Sequence, residues 1–245
     1  RLIYIIGIVL SISVANAQDY EQAFQHLQQQ FQERSKTTTT ALRSYLDCYP
    51  YTPYSDEIHL MEGVLYAEKD KYKQAIRAFQ QVNSKNLARE SQPMLHFYWG
   101  YVLLKQKEYE AALSHLLRLK NKKSLYAPHA RYYAGYCYYS MKDFPRALAE
   151  FLSVEQLSGY HQIVPYYIIQ IDYAQGKYDD VYTRANQLLE TFPENKNNYE
   201  LHRMLGEMYY QDSAYNKSIL HLETYRAQSI KEEREPLRND IYLLG

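Results

Sequence analysis

Histidine, cysteine and tyrosine are the side chains of this 245-residue chain best placed to ligate metal, react as thiols or form aromatic contacts; there are 8, 2 and 29 of them. His59, His96 and His202 each stand four residues before a glycine, a recurrence that invites a metal reading. Zinc takes three or four ligands at short, set spacings. Only His59 and His96 fall in neighbouring segments, no third ligand accompanies them, and neither H-E-x-x-H nor C-x-x-C occurs. Structural packing is the expected role, and no metal or cofactor is assigned. G-x-x-x-x-G-K-[ST], G-x-G-x-x-G and G-x-S-x-G are also absent, which removes phosphate-cradling loops and the serine elbow of hydrolases. The carboxylates fall mostly in turns and on polar faces. No enzyme activity is expected from these residues. Lys and Arg number 28 against 28 Asp and Glu, and that balance excludes the basic stripe of a nucleic-acid or anionic-membrane binder.

The elements that carry these residues repeat. Blocks beginning at Lys71, Glu108, Asp143, Lys177 and Ala214 recur with a period of roughly 34 to 37 residues. Each has an aromatic second residue, a small residue (or Val181) three later and, in most, a bulky one four after that. Offsets of three and four place these side chains on one helical stripe. Upstream of four blocks lies a second pattern around Gly63, Gly100, Gly135 and Gly206. A glycine inside a helix costs about 1 kcal/mol relative to alanine, so its return marks a place where a neighbouring helix comes too close for a side chain. Each unit is therefore two antiparallel helices joined by a polar turn such as Glu68-Lys69-Asp70. With only 8 Gly and 8 Pro, a many-stranded sandwich or barrel is excluded.

These residues resemble the tetratricopeptide repeat family. Gly63, Tyr66, Ala75 and Phe79 carry its signature in one unit; Trp99, Gly100 and Ala112 carry it in the next; Gly135, Tyr138, Ala147 and Phe151 in the third. The fourth departs, with Ile169 for the glycine and Val181 for the alanine, but keeps a closing Pro193; the fifth returns with Leu205, Gly206, Tyr209 and Ser218. A weaker unit starts near Asp19, with Ala41, Tyr45 and Pro53 at matching offsets. The resemblance implies an all-α fold, a right-handed α-solenoid of antiparallel helix pairs filling residues 18–245 with about six units. Residues 239–245 read as the start of a further first helix, so more chain is expected beyond Gly245.

The first 17 residues read as an address. Arg1 precedes an apolar run, Leu2 to Val14, that ends in Ala15-Asn16-Ala17 before Gln18. Thirteen residues span roughly 20 Å, too short for the ~30 Å hydrocarbon core, and an A-x-A ending marks a signal-peptidase site. The ending resembles the secretory signals of Bacteroidota. The mature chain is expected to start at Gln18, with no membrane insertion after cleavage; in a cell with two membranes its compartment is the periplasm. On a solenoid, Cys48 and Cys137 lie more than two units apart, on the order of 20–30 Å, well beyond the ~7 Å that a disulfide allows. Two unpaired, buried thiols are expected.

In the family the first helices line a concave side. The resemblance places Phe97, Tyr101, Tyr132, Tyr136, Tyr139, Tyr166, Tyr173 and Tyr210 there, while Tyr66, Tyr138 and Tyr209 pack between helices. Tyrosine combines broad apolar contact with a polar tip at low entropy cost, so the surface is expected to bind a protein or peptide partner. Lys105, Arg203 and Glu207 are its few charges. Chaperone-binding members clamp a carboxylate with Asn and Lys; the matching places in the second to fourth units are aromatic or aliphatic, so that role is not expected. The segment Tyr49-Pro50-Tyr51-Thr52-Pro53-Tyr54 resembles a loop of the periplasmic repeat lipoprotein of the outer-membrane β-barrel assembly machinery, which implies outer-membrane assembly partners; no lipid-attachment Cys follows the leader here. The leading expectation is a non-enzymatic binding scaffold of the cell envelope. The alternative is the regulatory or targeting arm of a larger envelope enzyme or assembly machine, with a cell-wall glycan carrier as a third class.

Overall fold

Side chains spaced by three and four along each block fold it into a helix whose apolar stripe needs a partner, and the nearest partner is the next block. The computed structural model describes residues 19–120 and 123–231. The expected leader at 1–17 and the helix start at 239–245 lie outside these residues. The described residues contain helices and turns and no strand. They form two compact units that divide between Tyr133 and Ala134.

In the first unit, α1 (19–32) is followed by α2 (Thr38–Cys48), α3 (Ser55–Glu68), α4 (Tyr72–Gln80), α5 (Gln92–Lys105) and α6 (Tyr109–Leu116). The unit boundary falls within α7 (Ala127–Ser140). The second unit continues with α8 (Phe144–Leu152), α9 (Val164–Ala174), α10 (Tyr178–Thr191), α11 (Asn198–Gln211) and α12 (Tyr215–Lys231).

The recurring glycines mark close helix approaches, as their placement implies. A Cβ built on Gly63 would sit 2.3 Å from the Phe79 ring; on Gly100, Gly135 and Gly206 it would meet Leu116, Phe151 and Leu222 at 2.7–2.8 Å. In every case the intruding side chain lies sixteen residues downstream, on the second helix of the same pair. The departing repeat reverses the arrangement. Ile169 stands in the glycine's place and Ala185 in the bulky residue's, both fully buried in one cluster. The bulk has moved from the second helix to the first. Ser218, in the small-residue place of the last repeat, donates its hydroxyl to the Gly206 carbonyl at 2.8 Å.

The turns between paired helices share one geometry. Asp70, Lys107, Lys142, Gly176 and Ser213 all have φ between 56° and 71°. Each donates its N–H to the carbonyl three residues back, and the following residue reaches the carbonyl five back, as in Lys71 to Tyr66 and Asp143 to Tyr138. This pair of bonds satisfies the last carbonyls of the first helix. Of the five, only Gly176 suits the left-handed conformation without penalty.

The cysteines correct one expectation. Neither forms a disulfide among the described residues and Cys137 is buried, but Cys48 is exposed. It is the last residue of α2, off the stripe of Leu42 and Tyr45 that enters the core. Several carboxylates also leave the solvated faces: Asp56, Glu150 and Asp172 are buried. Asp56 accepts from the Asn83 N–H at 2.6 Å and the Asn86 side chain at 2.9 Å, tying the loop after α4 to α3.

Candidate functional site

Counting from the glycine place, the first helices share three positions on one face, outward in every case but the buried Leu104. Three residues before it stand Phe97, Tyr132, Tyr166 and Arg203; one after it, Tyr101, Tyr136, Gln170 and Glu207; four after it, Leu104, Tyr139, Tyr173 and Tyr210. Intervals of three and four keep these positions on one stripe of each helix.

In the first unit the stripe closes on itself. The Phe97 ring lies 5.0–6.4 Å from the rings of Tyr98, Tyr101, Tyr126 and Tyr133, stacked on Tyr126 and Tyr101. Tyr101 also meets Tyr72 and carries the Lys105 ammonium 5.4 Å above its face. Tyr132 leans on Tyr133 at 5.2 Å. These rings pack mainly against one another.

In the second unit the stripe surrounds a cavity of about 390 Å³. α7 supplies Tyr139; α9 supplies Tyr166, Gln170 and Tyr173; α11 supplies Tyr199, Glu200, Arg203 and Met204. Tyr139 donates its hydroxyl to Gln170 Oε1, and Tyr173 donates to the Glu207 carboxylate. Arg203 Nε donates to Glu200 Oε2 at 2.7 Å and Nη1 to Glu207 Oε1 at 2.8 Å. Burial raises the Tyr139, Tyr166 and Tyr173 phenols above their ordinary value, and the carboxylates of Glu200 and Glu207 push the last two further. All three stay neutral across the physiological range. Tyr136 borders this group through Tyr139 and Tyr167.

Tyr139, Tyr166 and Tyr173 therefore converge on one cavity, with Tyr136 beside it. Phe97, Tyr101 and Tyr132 lie in the ring cluster of the first unit. Tyr210 is elsewhere: it is 41% exposed and meets Tyr215, outside the cavity lining. Tyr66 and Tyr138 are buried, and Tyr209 packs on Tyr182 and His221. The aromatic count draws attention away from Gln170 and Glu200. Aligning the outward positions finds the first, because glutamine replaces tyrosine there in the fourth repeat.

The histidines pack in a way that comparison between repeats does not show. His96 pairs with His115 and His202 with His221, Nδ1 to Nδ1 at 3.3 and 2.9 Å, each across its own helix pair and nineteen residues apart. Such a bond needs one ring protonated on Nδ1 as donor and the other on Nε2 with Nδ1 as acceptor. Burial, reinforced by the charge of the neighbouring ring, lowers His115 and His202 to about 4; burial beside Lys217 lowers His221. No group of three or more His, Cys, Asp or Glu among the described residues is arranged to hold a metal ion.

Antiparallel helix pairs with outward aromatic stripes define a helical-repeat protein of the class that serves protein–protein contacts. A family model for the tetratricopeptide repeat-like domain matches residues 11–164, and the chain belongs to that family. Solved structures repeat the fold. A tetratricopeptide repeat protein from Parabacteroides merdae superimposes with a TM-score of 0.59 at 14% identity, covering 93% of this chain and 98% of that one. PilF of Pseudomonas aeruginosa gives 0.60 at 16% identity, covering 89% and 99%. A structure of MamA (MSR-1) gives 0.59 at 14%, covering 73% and 99%. At such identities the likeness concerns fold alone. No curated protein matches the sequence. Among the described residues no helix is long and apolar enough to cross a membrane.

Proposed function

We propose that this chain is a non-enzymatic scaffold that binds a protein segment against the tyrosine-bearing stripes of its first helices. The observation that carries the reading is the cavity framed by Tyr139, Tyr166, Tyr173 and Tyr199. Two of these hydroxyls are held by Gln170 and Glu207, which fixes the rings before any partner arrives and lowers the ordering cost of binding. The leader reading supports a place of action outside the cytoplasm, in the periplasm, with outer-membrane assembly proteins among the partners to examine first. Intact mass of protein from the envelope fraction tests the compartment: a chain starting at Gln18 supports it, and a retained Leu2–Val14 segment overturns it.

The binding surface is tested with a photo-crosslinking amino acid placed at Tyr166 or, as a control on the second helices, at Arg226. Partner adducts are expected at 166 and not at 226. Equal adducts at both sites, or adducts at 226 alone, would overturn the assignment.

A further inference from the structure

We propose that a cavity of the first unit, apart from the tyrosine-bearing stripes, holds a carboxylate: the side chain of an aspartate or glutamate on a partner segment. A comparison of repeats carries the inference. His96 and His202 each meet a second imidazole nineteen residues on, His115 and His221. His59 occupies the same place in its own repeat, but nineteen residues on stands Ala78. The His59 Nδ1 atom is buried with no hydrogen-bond partner, and Glu62 Oε2, 3.9 Å away, is beyond hydrogen-bond reach. Where the second ring would stand there is a cavity of about 270 Å³, with His59 and Ala78 in its wall.

The same repeat carries charge where the two paired ones do not. Three residues after the histidine stands Glu62, against Trp99 and Leu205; eighteen after it stands Arg77, against Ser114 and Leu220. Glu62 accepts from Arg43 Nε at 2.9 Å, and Arg43 also donates from an Nη to the Tyr66 hydroxyl. This pair neutralises itself and fixes the Arg43 guanidinium, whose other N–H donors stay available. Arg77 lines the cavity from α4 together with Gln74, and among the described residues neither side chain makes a hydrogen bond or ion pair. The lining thus holds two guanidiniums against one carboxylate, and that carboxylate is already bonded. An ammonium would meet two cations, and an alkyl chain would leave the donors unmatched. A doubly charged phosphate would exceed the single positive charge left over. A carboxylate matches that charge, and a guanidinium fork fits its two oxygens. His59 adds an Nδ1–H donor in one of its tautomers.

The test titrates the whole chain, carrying nitrogen-15 histidine, with the capped tripeptides Ala-Glu-Ala and Ala-Gln-Ala and with free propionate. The His59 ring signal, identified by its loss in His59→Gln, reports occupancy. The glutamate peptide is expected to bind about three- to fivefold more tightly than the glutamine peptide, the upper range for an exposed ion pair. Arg77→Gln should remove that difference. Ala78→His should supply the missing ring, close the cavity and abolish the response to the glutamate peptide. Circular dichroism checks that each variant keeps its helices; if Ala78→His unfolds, the parent and Arg77→Gln still decide. Equal binding of the two peptides, an unchanged preference in Arg77→Gln, or no response to any probe overturns the inference. Propionate held as tightly as the glutamate peptide overturns the side-chain source and assigns the site to small free carboxylates.

Discussion

Phe97 and Tyr166 occupy the same place in their repeats, three residues before the glycine position, yet one is packing and the other is a wall. Around Phe97 the rings of Tyr98, Tyr101, Tyr126 and Tyr133 fill the space that its stripe would present. Around Tyr166 the corresponding stripe positions bring glutamine on its own helix and an Arg–Glu network on the next. Repeat position sets which way a side chain points. Whether it becomes core or binding surface depends on the chemistry one repeat further on, because rings collapse on rings while charged groups hold hydration and keep space open.

Four measurements would break or sharpen that contrast. The largest effect is expected where the units do not differ: Phe79→Ala and Phe151→Ala each remove a fully buried ring seated over a glycine and should cost about 3–5 kcal/mol in denaturant unfolding. A loss below about 1 kcal/mol at either, the size of an ordinary substitution, would mean that the glycine contact is not what closes the helix pair. Next comes the contrast itself. Phe97→Ala should cost about 2 kcal/mol through lost ring pairs and leave binding nearly unchanged. Tyr166→Ala with Tyr173→Ala should weaken the bound peptide by about tenfold or more, with a smaller stability loss. If the melting and affinity effects are exchanged between these variants, the two stripes have been assigned the wrong way round.

The histidine pairs give a smaller, pH-dependent effect in both units. His115 and His202 titrate near 4 in the folded chain against an ordinary value of 6.5. The unfolded chain therefore takes up protons first as pH falls. Their stabilising contribution is complete above pH 6.5 and is lost progressively from there toward 4. Partial exposure reduces its size. The thermal midpoint should drop by a few degrees between about pH 7.5 and 5, and His221→Gln with His115→Gln should flatten that slope. An equally steep slope in the double variant would point to other groups. The smallest effect has the opposite sign: Lys142→Gly, at φ 61°, should stabilise by about 0.5–1 kcal/mol by relieving a left-handed side chain. Gly176→Ala should mirror it with a loss of similar size.

Most of the fold is legible in the sequence because it lies in spacing. Gly63, Gly100, Gly135 and Gly206 announce their close contacts, and Ile169 announces the exception, though not that Ala185 yields the room. The site is only partly legible. Tyr139, Tyr166 and Tyr173 share a stripe that any helical wheel displays, and they meet. Phe97 and Tyr101 share an equivalent stripe and are absorbed by Tyr126 and Tyr133, whose direction depends on how the chain enters α7. Cys48 escapes the pattern because it closes α2, where the periodicity that identifies buried positions ends. The partners of His96 and His202 escape it because comparing repeats with one another hides a pairing that runs within a repeat.

The constant interval between glycine and overlying side chain has a mechanical consequence. Every such clasp joins residues only sixteen positions apart, so its closure captures a short loop and waits on nothing distant in the chain. A polypeptide built this way can zip up in order as it emerges from a narrow passage, each hairpin complete within a few dozen residues. Pulled from its ends, it would yield hairpin by hairpin in small, similar steps, because each clasp bears only its own share of the load.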